Sequence, residues 1–427
     1  MTSSNKTGQI EKYLQRHWPE FQIPQNPDPD IGTIVVIPAY LEEKWLFQTL
    51  DSLVNNDPPQ SPVEVIVVLN TSERDGAKAI TEQEKCRSDI EKYIQSGLPA
   101  WLTLHTLQAY NLRKKHAGAG LARKTGLDEA LRRFSQIHKS HGILACLDAD
   151  SPVAPNYLTT IEKWGDTPEN QGAIIRFEHP LRGDDYPREV YEGIILYELH
   201  LRYYLAGLRM TGFPYAYHTI GSCMVCKAQS YARAGGMPRK QAGEDFYFLQ
   251  KLIPQGRFSE INETVVYPSP RPSERVIFGT GASIKKHLDG SEKQGTTYNL
   301  QVFFDLKDFF SRAEELFALP PDEFESWTYK LNGPLRSFLL NSHFENELIN
   351  LRENCKSQKS FLKRFFHAFN AFKVIRYIHY AHEHFYARSN LFDAATRLLE
   401  EHGYDASAIL EEEELLRQYR EWEYGQG

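Results

Sequence analysis

The stretch TIVVIPAYLEEKWLFQTLDSLVN, residues 33–55, decides the fold class. It opens with a β-branched run, Thr33 to Ile37, closed by Pro38, and such a run reads as a buried strand. Behind it, Trp45, Leu46, Leu50 and Leu53 recur at helical spacing, and a second apolar run, Val63 to Leu69, ends in Asn-Thr-Ser. A helix joining two buried strands is the βαβ signature of a parallel sheet, so the first third of the chain is expected to be α/β.

Outward from there the pattern continues. Leu102 to Leu107 reads as a strand, a helix is expected from near Gly118 through ARKTGLDEALRRF, and GILACLDAD reads as a strand followed by a loop. A strand at Gly172 to Phe177 precedes a polar loop, HPLRGDDYPRE, and a long aromatic helix, expected as an insertion lining the site. A short strand between Gly221 and Lys227, the helix AQSYARAG and a helix from Asp245 to Leu252 complete this part. From Phe303 onward amphipathic helices dominate, including Leu306 to Leu319, Phe361 to Tyr386 and Leu391 to His402. The acidic run Glu411 to Glu414 is expected within a helix as a solvated face. The expected division is an N-terminal extension over 1–30, a mostly parallel α/β domain over 31–290 and a helical region over 291–427.

Composition narrows the function classes. A formal charge of −7 over 427 residues argues against a general nucleic-acid binder, which shows a basic balance or face. Five cysteines are too few for a disulfide framework, and a reducing, cytoplasmic setting fits them. The N-terminus lacks the charged and apolar regions of a secretory signal, and the apolar stretch around YEGIILYELHLRYYLAGL is interrupted by Glu198, His200 and Arg202. The chain is expected to be soluble or peripheral to a membrane.

The chemistry gathers at Asp148-Ala149-Asp150, where a buried strand stops and the loop SPVAP begins. In doubly wound sheets ligands sit beyond the carboxyl ends of strands, so these carboxylates can reach an ion and a phosphate. Hard carboxylate oxygens suit Mg²⁺ or Mn²⁺. The blander reading is two aspartates ending a strand and capping a turn. What shifts the balance is the ordered company of VVIPAYLEE (35–43), VIVVLNTS (65–72), GAGLARKTGLDEAL (118–131), LDAD (147–150) and GEDFYFLQKL (243–252).

In that order and spacing the sequence resembles family 2 glycosyltransferases, over about residues 31 to 290. The resemblance implies a GT-A fold and a sugar moved from a nucleotide diphosphate sugar to an acceptor hydroxyl. It implies that Pro38, Ala39, Tyr40 and Glu42 hold the nucleotide base and ribose, with Tyr40 stacking on the base. Asn70 falls where the family usually has Asp, and its amide oxygen keeps an acceptor for the base while leaving the base's identity open. Arg123 matches a segment that approaches the diphosphate or ribose, and its donor fork suits oxyanions. Asp150 is implied as the direct metal ligand and Asp148 as a ribose or outer metal contact.

The resemblance also makes Asp245 the general base of an inverting reaction and Glu244 a residue that orients the acceptor. Apart from the resemblance, this pair reads as the acidic first turn of a helix. The segment SPRPSERVIFGTG (269–281) reads as a flap over the diphosphate, with Arg271 and Arg275 as its cations and a glycine hinge; a surface loop with solvated arginines is the alternative. His287, following that segment, is a late candidate for the metal. The Gln-x-x-Arg-Trp signature of processive polymer synthases is missing.

Other patterns point to packing. Gly118-Ala119-Gly120 lacks the third glycine of a dinucleotide fingerprint. Cys223 and Cys226 have no second pair to complete a zinc site. His379, His382 and His384 do not match a metalloprotease helix. The aromatic and basic stretch SFLKRFFHAFNAFKVIRYIHY is expected to pack against helices or in a dimer interface, with contact to an anionic membrane as the rival. Tyr191, Tyr197, Tyr203, Tyr204 and Tyr215 are expected mostly in the core, with sugar stacking as the alternative. The acceptor class stays open among a glycan, a lipid-linked sugar and a small molecule. Two rival functions accompany the inverting reading: a retaining transferase on the same fold, and a nucleotide-sugar-binding protein without turnover. A nucleotidyltransferase is disfavoured, since Pro38 and Tyr40 stand where its glycine-rich loop would lie.

Overall fold

The computed structural model describes residues 4–115, 117–273, 279–290 and 295–425, with side chains from residue 8. The polypeptide divides into two units, 1–184 with 219–285, and 185–218 with 286–427. Residues 185–218, inside the span expected as one α/β domain, thus pack with the C-terminal helices.

In chain order the first unit carries α1 (Ser4–Arg16), β1 (Thr33–Ala39), α2 (Glu43–Val54), β2 (Val63–Ser72), α3 (Ala77–Gln95), β3 (Leu102–Leu112), α4 (Ala119–Gln136), β4 (Ile143–Cys146), α5 (Tyr157–Gly165) and β5 (Asn170–Phe177). Then α6 (Arg188–Met210) belongs to the second unit, and the first resumes with β6 (Met224–Lys227), α7 (Ala228–Arg233), α8 (Glu244–Leu252) and β7 (Arg257–Val266), followed by α9 (Thr280–Leu288).

The strands form one seven-stranded sheet in the order β3-β2-β1-β4-β6-β5-β7. All neighbours run parallel except β6, which is antiparallel to both β4 and β5. This is the mostly parallel, helix-flanked GT-A arrangement. The central strand β1 is buried throughout, as its unbroken apolar run requires. Its Pro38 sits in a central strand without loss. Leu147 donates to the Val36 carbonyl at 3.1 Å, so even-numbered residues of β1 turn their polar groups toward β4. Because β4 ends at Cys146, paired with Val36, the absent N–H of Pro38 falls beyond the ladder.

Helix α4 lies directly on this sheet because position 126 is glycine. A Cβ there would stand 2.4 Å from Val36 Cγ1 and 2.7 Å from Val68 Cγ2. The N-terminal segment is fastened to the same helix, with Tyr13 and Tyr231 hydroxyls both donating to Asp128 Oδ1 at 2.7 Å.

The second unit adds to α6 the elements β8 (Thr296–Thr297), α10 (Gln301–Ser311), α11 (Glu315–Ala318), α12 (Phe324–Thr328), α13 (Gly333–Asn341), α14 (Phe344–Glu353), α15 (Gln358–Ala368), α16 (Ala371–His384), β9 (Ser389–Asn390), α17 (Leu391–Glu401) and α18 (Glu412–Gly425). Its core is aromatic: Phe309 meets Phe344, Phe365 and Phe369 with ring centroids 5.1 to 6.3 Å apart, near edge-to-face. A charged seam joins α6 to α18. Glu198 accepts from Arg202 and Arg420, each at 2.8 Å, and Glu423 lies 2.7 Å from Arg202 and 2.8 Å from His218.

Two expectations are corrected here. The helix expected from Leu306 to Leu319 breaks after Ser311, and the one from Phe361 to Tyr386 is two helices, α15 and α16. The second break is built by Asn370, whose Oδ1 accepts from the N–H groups of Phe372 and Lys373 at 3.1 and 3.3 Å as the cap of α16. The acidic run is helical as expected apart from Glu411, which precedes α18: Glu412 to Glu414 fill its first turn, where the helix dipole favours acids. Tyr203 and Tyr191 are buried and Tyr197, Tyr204 and Tyr215 half-buried. Phe361, Phe365 and Phe369 are buried, so the aromatic stretch packs inward. Among the described residues no helix is long and apolar enough to cross a membrane.

Candidate active site

The carboxyl ends of β2, β1 and β4 lie side by side in the sheet, and Asn70, Tyr40, Glu42, Asp148 and Asp150 stand at or just beyond them. At the end of β1 the chain turns through Tyr40, Leu41 and Glu42. Leu41 has φ +55°, a left-handed conformation that a branched side chain adopts under strain. The turn closes on itself, with the Tyr40 N–H donating to Glu42 Oε2 at 3.3 Å. Gln83 of α3 holds β1 and β2 together beside it, donating to the Ala39 and Asn70 carbonyls at 2.7 and 3.0 Å. Asn70 itself is buried, and its Oδ1 has no hydrogen-bond partner among the described residues. A buried acceptor left unmet is costly, and here it stands at the mouth of the parallel strands.

After β4, Asp148 and Asp150 are fixed by their backbone. The Ala149 carbonyl accepts from Thr49 Oγ1 at 2.9 Å, and the Asp150 carbonyl accepts from the Ser269 N–H at 3.1 Å. Each aspartate then meets an arginine. Arg271 brings Nε to 2.9 Å and Nη2 to 2.7 Å from Asp150 Oδ2, and the same Nη2 pairs with Glu42. Arg123, in the second turn of α4, sends Nη2 to Asp148 Oδ1 at 2.5 Å and Nη1 to Glu244. Burial pushes the Asp150 carboxyl up to about 6, against the downward pull of Arg271, with Glu42 and Asp148 adding to the rise.

Glu244 and Asp245 open α8, whose cap residue Gly243 takes φ +69° and offers no side chain. Glu244 is buried against Arg123. Asp245 is half-buried, and one oxygen accepts from the Phe246 N–H at 2.7 Å. Burial raises its carboxyl to about 6, Glu244 and Asp148 add to the rise, and Arg123 opposes it. Asp245 therefore changes charge near neutral pH, as a general base must.

A magnesium-like ion takes one or two carboxylates and completes its shell with phosphate oxygens and water. Asp150 with Glu42, converging on one guanidinium, is a donor set of that kind. Among the described residues no three His, Cys, Asp or Glu side chains form a ready-made cage. His287, half-buried near the end of α9, is carried in the second unit. Arg275 lies outside the described residues.

Two features escaped the sequence reading. Glu42, read as a base or ribose contact, shares Arg271 with Asp150, a pairing across 229 positions that local pattern cannot reveal. The glycines of Gly118-Ala119-Gly120 serve neither a dinucleotide nor a turn alone. A Cβ on Gly120 would stand 2.4 Å from the Lys240 carbonyl and 2.9 Å from Glu244 Cγ, so the glycine admits the segment that delivers Glu244 and Asp245. As expected, the cysteines at 223 and 226 are buried, and His382 packs, accepting the Asn299 N–H at 2.9 Å.

Residues 34–232 match the family model described as glycosyl transferase family 2. No curated protein matches the sequence. Among solved structures, the chain is similar to S. aureus TarS 1–349 in complex with UDP-GlcNAc, at 14% identity over 79% of this chain and 91% of that one, TM-score 0.39. It is also similar to the mannosyltransferase PcManGT from Pyrobaculum calidifontis in complex with GDP-Man and Mn²⁺, at 15% identity over 86% and 97%, TM-score 0.35.

Proposed function

We propose that this chain, whose residues 34–232 match the glycosyl transferase family 2 model, moves a sugar from a nucleoside diphosphate to an acceptor hydroxyl with inversion, Asp245 acting as the base. The observation that carries this reading is the convergence at the strand ends: Glu42, Asp148 and Asp150 are each held by an arginine, while Asp245, beside them, has no arginine or lysine ion pair among the described residues and titrates near 6.

Asp245 takes the proton from the acceptor oxygen as that oxygen bonds to the anomeric carbon and the bond to the diphosphate breaks. Asp150, with Glu42 and Asp148 beside it, is the set that would hold Mg²⁺ or Mn²⁺. Such an ion neutralises charge building on the departing diphosphate. Arg271 supplies a second positive group beside the same oxygens once it leaves Asp150. Tyr40 stacks on the base, and the unmet Asn70 Oδ1 accepts from a ring N–H, the contact that would relieve its isolation.

Thermal shift with UDP, GDP, ADP, CDP and dTDP, each with and without Mn²⁺, tests this on wild type and Asp150→Ala. One nucleotide should stabilise wild type in a metal-dependent way that the variant loses. No stabilisation by any of them at millimolar concentration rejects the donor site.

A further inference from the structure

We propose that Arg123 is a positioning residue, whose guanidinium clamps Glu244 and Asp148 so that the start of α8 presents the Asp245 carboxylate, and that it does not touch the donor. This rests on the reading of Asp245 as base.

Three observations lead to it. First, both terminal nitrogens are committed, one to Glu244 and one to Asp148, and the side chain is 3% exposed. Its remaining Nε is buried and has no partner among the described residues. An arginine that gathers phosphates keeps its fork open to solvent; this one is sealed. Second, the space around the pair is cleared by two glycines from separate segments. A Cβ on Gly221 would lie 2.9 Å from Nη2, and one on Gly120 would lie 2.9 Å from Glu244 Cγ. No ligand is needed to explain either vacancy, because the ion pair fills both. Third, α8 lacks a side-chain cap, its Gly243 being in the left-handed region, so its first turn has little local anchorage. The Arg123–Glu244 pair ties that turn to α4, which is itself seated on β1 and β2 through Gly126. Glu244 precedes Asp245 directly, so fixing one fixes the backbone of the other.

A buried glutamate deprived of the cation it pairs with moves or takes up a proton, and a base displaced by an ångström loses about 100-fold in rate. The clamp therefore acts on turnover and on the order of α8, and leaves donor affinity alone.

The test compares Arg123→Met and Arg123→Lys with wild type in the full chain by three measurements. Amide exchange is followed over residues 240–248, the Kd of the stabilising nucleoside diphosphate is titrated with Mn²⁺, and release of that diphosphate from its hexose conjugate gives kcat and KM. For Arg123→Met the expectation is exchange faster by about tenfold or more, Kd and KM within about threefold and kcat lower by about 100-fold, with Arg123→Lys recovering part of the exchange and the rate. Unchanged exchange overturns the clamp. So does a Kd weakened by about tenfold or more with kcat retained, which would make Arg123 a donor contact. If wild type binds none of the diphosphates, the transferase reading fails while exchange alone still decides the clamp. Should Arg123→Met not fold, Glu244→Gln is measured in its place, and unchanged exchange there overturns the proposal equally.

Discussion

Both units of this protein bury charge, and they do so to different ends. In the second unit, Glu198, Arg202, Arg420 and Glu423 form a network between α6 and α18, with His218 against Glu423: each arginine faces a carboxylate, and each carboxylate faces at least one arginine. In the first unit, Arg123 and Arg271 answer Glu244, Asp148, Asp150 and Glu42, yet the cluster is left incomplete, with Asp245 lacking a basic partner among the described residues and Asn70 Oδ1 unmet. A network in which every carboxylate is matched by an arginine fixes geometry. An unsaturated one of the same chemistry keeps groups in reserve for a substrate, which is how perturbed carboxyls mark functional sites.

The contrast can be broken most forcefully at the base. Asp245→Asn should lower turnover by about 10²–10⁴-fold while the Kd of the nucleoside diphosphate stays put, measured by steady-state kinetics and calorimetry; retained turnover would remove Asp245 from the chemistry. At the second-unit network, Arg202→Met should cost about 3–5 kcal/mol of stability in denaturant unfolding, since Glu198 and Glu423 each lose a cation. A cost under about 1 kcal/mol would mean that the seam is solvated.

Gly126→Ala separates packing from charge. It forces a Cβ into Val36 and Val68 and should cost about 1–3 kcal/mol, read as a lowered Tm, without changing any ion pair. The gentlest probe is pH. Asp245 acts deprotonated, and its carboxyl sits at about 6 because burial and Glu244 disfavour the charge. The rate is therefore level above about pH 7, falls as pH drops through 6 and is down about tenfold at pH 5. A profile flat from 5 to 8 would assign the proton elsewhere.

How much of this was legible beforehand follows from the range of each interaction. The runs Thr33–Ile37 and Val63–Leu69 and the helix from Gly118 are visible because their apolar period is local, and the structure places β1, β2 and α4 there. Strand β7 passed unread, since RFSEINETVV alternates with polar residues and sits among loops. The α15–α16 break at Asn370 is masked by aromatics on both sides that sustain a helical pattern. In the site, the acids were readable as an ordered set, because each lies where a strand ends or a helix starts. Their arginine partners were not, as Arg271 reaches Glu42 and Arg123 reaches Glu244 only after the sheet has formed. The assignment of α6 was beyond local pattern for the same reason: its mates, Arg420 and Glu423, lie more than 200 positions away.

That separation has a consequence for synthesis. Helix α6 leaves the ribosome long before α18 exists, and at about 5–20 residues per second the interval is on the order of 10–40 s. Throughout it, Glu198 and Arg202 have each other, four positions apart, and nothing else from the seam. The seam is therefore completed last, after the first unit's β6, α7, α8 and β7 and the intervening helices of the second unit have been made.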